Sequence, residues 1–497
     1  MQVACSEWDY DPELARNTLV SHWNLVCSRR PLVAVADAVY STGALAAMAI
    51  AGYFAESSGR KPVIITGVTV LLVATLGITF ADTYTMYITS RFLNSGCATT
   101  VFVVSQTLFF EVSTDHRRAR NIALAFAFGN IAAEFWFDLL RQLHADWQHL
   151  QATILSPTLL MVSAFVAVYE SPRWLVYKQK IWEAEALMLA AARKNGFSWS
   201  EAMILTGKIK DEVAKRQQFQ IRDLDGTQSP DIGKHVVVMS LTYFSATFAF
   251  YATLQSLVAR HEPWVRVSAS AASALWFMFL TWAINRVPHR QLVRVLFGML
   301  GGLSALMSLG TWTTEVHAVV YIVAKGCSQA TLLMNIILIL ELFPTPVRCQ
   351  VQCLTFACGR VAAVVASLLQ VLSYTGREDV VLALMATLAF ASLLVLRYIP
   401  GIDTYAVTSE ASSRLSSRRV WAQSTHNLEA MKSTLAPTAY GRKKQKKRCR
   451  TKSPNRKRSP HEPCLSNQAS TLSLSSPPRS PVARTLSLEQ VAQKHQK

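Results

Sequence analysis

At 497 residues the chain has room for two or three soluble domains, but 51% hydrophobic and only 16% charged residues argue against them, because charged residues make up about a quarter of an ordinary soluble protein. The formal charge of +19 resembles a nucleic-acid signal until it is located: from residue 401 onward nineteen Lys and Arg stand against five Asp and Glu, so +14 belongs to the tail. Nine cysteines show no Cys-x-x-Cys and no Cys/His spacing suited to zinc. A phosphate-cradling Gly-x4-Gly-Lys-Ser/Thr and a serine nucleophile elbow are also missing, so no enzyme, cofactor, metal or ATP-driven pump is expected.

Residues 1–30 are polar and aromatic, with no signal-peptide pattern. Apolar segments then fall at about 32–54, 63–81, 84–109, 121–140 and 149–168, and after a break at about 236–258, 266–285, 292–312, 316–340, 349–372 and 380–397. Each has roughly the 20 apolar residues that a hydrocarbon core of about 30 Å demands. Backbone polar groups cannot be left bare in lipid, so these are expected as helices. The organisation is thus an N-terminal half of five spans (31–168), a polar central loop (169–234), a C-terminal half of six spans (235–397) and a basic tail (398–497). That tail is rich in Ser, Pro, Lys and Arg and cannot bury enough apolar area to fold alone.

Basic residues in alternate connections set the orientation. Arg60-Lys61, Arg117, Arg118 and Arg120, the central loop, Arg286, Arg290 and Arg348 share one side with the tail, which places the C-terminus in the cytoplasm. The tail's core, Gly441-Arg-Lys-Lys-Gln-Lys-Lys-Arg-Cys-Arg450, reads as a cluster drawn to anionic lipid rather than to nucleic acid, at about 1 kcal/mol per charge near the surface.

Several motifs fall in a recognisable order. Gly52-Tyr-Phe-Ala-Glu-Ser-Ser-Gly59-Arg-Lys-Pro62 resembles the loop between the second and third helices of major-facilitator transporters. Trp23-Asn-Leu-Val-Cys27, Asp146-Trp-Gln-His-Leu-Gln151, Glu170-Ser-Pro-Arg-Trp-Leu175, Lys325-Gly-Cys327 and Glu341-Leu-Phe-Pro-Thr-Pro-Val-Arg348 resemble, in sequence, motifs of the organic cation/anion/zwitterion transporter family, a solute-carrier branch of that superfamily. The resemblance implies an all-helical polytopic membrane protein of the major facilitator fold with about eleven transmembrane helices, twelve minus the first, and residues 1–30 as the remnant of an extracellular loop. It implies alternating-access transport of small organic anions, zwitterions or cations across the plasma membrane, with no enzymatic activity.

 

The implied partners are a small organic ion and the lipid bilayer, with no nucleic acid. Other readings are a non-transporting binding or regulatory membrane protein, a truncated gene product, or a sugar transporter. The last is disfavoured because the helix after the central loop lacks a Gln-Gln pair.

Charged and aromatic residues inside the spans are the candidates for substrate contact. Arg360 lies in the next-to-last span and needs an internal partner or a substrate carboxylate; by resemblance it stands where anion and zwitterion transporters carry Arg and many cation transporters Asp, which favours an anion or zwitterion. Tyr243, Phe244, Phe248, Phe250 and Tyr251 form a dense aromatic set on the first helix after the break, followed by Trp276 and Phe277, and such rings hold flat or cationic solutes. Phe277 stands about where the anion branch often has Lys. Glu134, beside Trp136, either balances Arg360 or contacts a cation, and Lys325 is a further candidate. Gly52, Glu56, Gly59, Arg60, Arg91, Glu170, Arg173, Glu341 and Arg348 are expected in gating or helix packing, with Asp37 near Arg91.

Overall fold

The computed structural model describes Tyr10 and residues 18–398, apart from 115–116, 144–145, 197–206, 208–231, 255–262, 311, 344 and 375–377. The basic tail cluster therefore lies outside the described residues. Every described regular element is a helix. After the short α1 (Leu19–His22) come α2 (Pro31–Ser57), α3 (Arg60–Thr79), α4 (Tyr84–Val112), α5 (Arg118–Leu143), α6 (Trp147–Met161) and α7 (Ala164–Ala167). The central loop contributes α8 (Pro172–Tyr177) and α9 (Ile181–Lys194). The second half comprises α10 (Ile232–Leu254), α11 (Pro263–Ala283), α12 (His289–Ser308), α13 (Thr314–Leu342), α14 (Thr345–Tyr374) and α15 (Glu378–Val395).

Local chemistry explains the boundaries. Pro31 opens α2, where its missing N–H is no loss, and Thr83 caps α4 by accepting from the Met86 N–H. Ser171 does the same for α8 through the Trp174 N–H. Between α2 and α3 the chain reverses at Gly59, whose φ of +108° suits glycine, and a Cβ there would lie 2.4 Å from the Glu170 carboxylate. Pro157 lies inside α6, and the chain turns again at Val162–Ser163 before α7, so the fifth expected span is a broken one. Among the described residues eight helices are long and apolar enough to cross a bilayer, and Val267–Ala283 is a shorter apolar helix.

In the first half α4 packs against both α2 and α3, and α3 also meets α6. In the second, α10 packs on α14 and α13, α12 on α15 and α13, and α11 on α13. The halves meet where α2 lies along α14 and α5 along α11. One core of buried side chains runs through both, from Met48, Val104 and Phe110 to Met239, Phe248, Leu333 and Phe297. Large apolar side chains such as Phe128, Leu160, Leu275 and Leu368 point outward, a surface suited to lipid.

Candidate functional site

At the end of the bundle where α2 turns into α3, a group of charges ties the halves together. The Arg60 guanidinium is fully buried and reaches Glu56 Oε2 and Glu111 Oε1, each at 3.1 Å. It also donates to the backbone carbonyls of Ala55 (3.1 Å) and, across the interface, Thr345 (3.4 Å). Glu56 Oε1 accepts the backbone N–H of Cys349 on α14 at 3.2 Å. Arg348, also from the second half, approaches Glu111 at 3.6 Å and donates through Nε to the Phe343 carbonyl. The guanidinium groups of Arg118 and Arg348 both lie over the Phe110 ring, 4.6 and 4.9 Å from its centroid.

The central-loop motif belongs to the same construction. Glu170 accepts the backbone N–H groups of Arg60 (2.9 Å) and Lys61 (3.1 Å), which places a carboxylate at the positive end of α3. Trp174 Nε1 donates to the Glu56 carbonyl at 3.1 Å, and Arg173, half-buried, stands near enough to Arg348 to act on it electrostatically. Gly52 sits against Gln350 and Cys353, where α2 and α14 come close. Glu341 does not join this group: it pairs with His289 Nδ1 at 2.7 Å inside the second half. Arg91 is separate too, donating to the Tyr87 hydroxyl (2.6 Å) and to Asp37 (3.4 Å) near the other end of α4.

Deeper in the bundle, α4 and α14 continue to exchange polar contacts. Gln352 meets Thr107 and, at 3.3 Å, Gln106. Phe356 packs against Phe102 with ring centroids 6.0 Å apart, and Arg360 Nη2 donates to Thr99 Oγ1 at 3.0 Å. Residues 348, 352, 356 and 360 recur every four positions and so share one face of α14.

Arg360 lies at the wall of a cavity of about 170 Å³ lined by residues of α4, α5, α10, α13 and α14. Its other terminal nitrogen donates to the Tyr251 hydroxyl at 3.0 Å. Both partners are hydroxyls, and among the described residues no carboxylate pairs with it. Tyr243, Phe250 and Tyr251 of the expected aromatic set line this cavity, with Tyr243 stacked on Phe356 at 4.7 Å. Gly359 makes room for that stack, since a Cβ there would come within 2.6 Å of the Tyr243 ring. Gln329 also lines the cavity; its Nε2 donates to Glu134 at 3.1 Å, while its Oε1 is buried with no hydrogen-bond partner.

The remaining candidates lie elsewhere. Phe248 is fully buried in the core, Phe244 packs beside it, and Phe277 backs the cavity through Phe126 at 5.8 Å. Trp276 covers Gly326 and meets Phe279, and Trp136 lies on the outer face of α5. Glu134 is not the partner of Arg360: it bridges the halves to Lys325 at 3.3 Å, and Lys325 also donates to Ser270. Sequence reading missed Glu111, whose signal was an acid closing an apolar span just before a basic loop. It also missed the neutral Thr99 and Gln329, and Asn130, which lines the same cavity; none carries a charge to mark it.

A family model described as the Major Facilitator Superfamily matches residues 28–367. Human solute carrier family 22 member 11 is 27% identical over 379 residues, covering 73% of this chain and 66% of that protein. The beta-alanine transporter of Drosophila melanogaster is 23% identical over 418 residues, covering 79% and 66%. The chain thus spans just under two thirds of the length of these relatives. A solved structure of the proton:xylose symporter XylE from E. coli shares the fold, with a TM-score of 0.59, 15% identity, and coverage of 77% of this chain and 89% of that one. The chain belongs to the Major Facilitator Superfamily and is similar, within it, to the organic ion transporters of solute carrier family 22.

Proposed function

We propose that the chain is a secondary transporter that moves small organic anions or zwitterions by alternating access of its two halves. Superfamily members are membrane transporters and not enzymes. The observation that carries the choice of substrate charge is Arg360, a cation held at an aromatic-lined cavity by two hydroxyls. A charge in that setting is costly without a counter-charge, and a ligand carboxylate supplies one. The partnerless Gln329 Oε1 offers an acceptor for a ligand ammonium, which suits a zwitterion. The name of one relative, a beta-alanine transporter, points the same way.

In this reading the Arg60 end and the C-terminus face the cytoplasm, the membrane is the plasma membrane, and Arg60, Glu56, Glu111 and Arg348 close the cytoplasmic side. The test is uptake by cells expressing the chain, with β-alanine and tetraethylammonium as probes. Arg360→Ala is expected to depress β-alanine uptake roughly 10- to 100-fold, the loss of a charged hydrogen bond, and to spare the cation. Equal loss of both would make Arg360 structural, and no uptake of either would favour a non-transporting membrane protein.

A further inference from the structure

Charge counting around the cavity gives Glu134 a role. We propose that Glu134 sets the ligand charge the site accepts: by neutralising Lys325 it leaves Arg360 as the uncompensated cation of the cavity, so that ligands with a single carboxylate enter and dicarboxylates are rejected. This rests on the reading that Arg360 receives a carboxylate.

Lys325 is buried, and its ammonium lies 3.3 Å from Glu134 Oε1 and 3.1 Å from Ser270 Oγ. Four residues further along α13, about 6 Å by helical rise, Gln329 reaches the cavity wall and donates to the same Glu134 oxygen. The Lys325–Glu134 pair therefore stands about one turn from the ligand space and adds no net charge to it. Among the residues lining that space Arg360 is the charged one, in company with Phe102, Phe126, Tyr243, Phe250 and Phe356. A second carboxylate would enter this apolar setting with nothing to balance it. Without Glu134, the Lys325 charge would act across about a turn of helix, where such an interaction is worth roughly tenfold or more in binding.

The experiment measures binding to the purified full chain at neutral pH, where phthalate carries two charges and its monomethyl ester, of similar size, carries one. Wild type is expected to bind the monoester at least about tenfold more tightly than phthalate. Glu134→Gln should erase that preference by strengthening phthalate binding, and the double variant Glu134→Gln with Lys325→Gln should restore it. Lys325→Gln alone leaves Glu134 uncompensated and should weaken monoester binding, which keeps the idea testable if Glu134→Gln does not fold. Equal binding of both probes by wild type, or an unchanged preference in Glu134→Gln, overturns the inference. If Arg360→Ala abolishes monoester binding while Glu134→Gln leaves the preference intact, the role of Glu134 alone fails. If wild type binds neither probe, the reading of Arg360 fails and this inference fails with it.

Discussion

Arg60 has no exposed surface, and what makes its burial tolerable is the supply of acceptors around it: two carboxylates and two backbone carbonyls. Burying a guanidinium costs several kcal/mol unless its counter-charges and hydrogen bonds are in place. Glu111 matters most in that balance, because its Oε1 serves both Arg60 and Arg348. Glu111→Gln is therefore expected to cost about 3–5 kcal/mol, read as a lower thermal midpoint of the purified protein. Asp37 and Arg91 make the contrasting case. The Asp37 side chain is 65% exposed and the pair is separated by 3.4 Å, so Asp37→Asn should change stability by no more than about 1 kcal/mol.

At the scale of the element, α14 decides how the halves meet. Its four-residue stripe of Arg348, Gln352, Phe356 and Arg360 faces Glu111, Thr107, Phe102 and Thr99 in turn, an antiparallel ladder running from the charged end to the cavity. Beside that stripe, Gly359 leaves room for the Tyr243 ring that stacks on Phe356. Gly359→Leu should push that ring off its stack on Phe356, at a cost of about 1–3 kcal/mol from overpacking, and abolish ligand binding while the protein still reaches the membrane. Ligand binding by Gly359→Leu at the wild-type level would show that the Tyr243–Phe356 stack does not shape the cavity.

For the whole molecule, the proposal of alternating access requires the ladder to part. A cross-link between Gln106→Cys and Gln352→Cys, whose native side chains lie 3.3 Å apart, should block uptake, and a reductant should restore it. Full uptake with the link intact would mean that α4 and α14 stay together through the cycle. The basic tail is expected to add membrane affinity, so ending the chain after Ala406 should weaken its association with anionic lipid and its surface residence.

Much of this architecture is written in local chemistry. Apolar runs of span length leave a helix as the way to satisfy the backbone in lipid, and the motifs at Gly52–Pro62 and Glu170–Leu175 mark two loops that touch in the structure. Arg360 and the Tyr243–Tyr251 aromatics stood out because a charge or a row of rings within a span is conspicuous in one dimension. Partnership was not legible. Glu134 had two open roles until α5 and α13 met, and the structure paired it with Lys325, 191 residues away (325 − 134), rather than with Arg360. Thr99, Gln329 and Glu111 became notable only through what lies opposite them. Composition determines that each apolar segment forms a helix, because backbone hydrogen bonding within a helix is satisfied locally; which polar groups face one another is decided by helix rotation and packing, which tertiary structure alone sets.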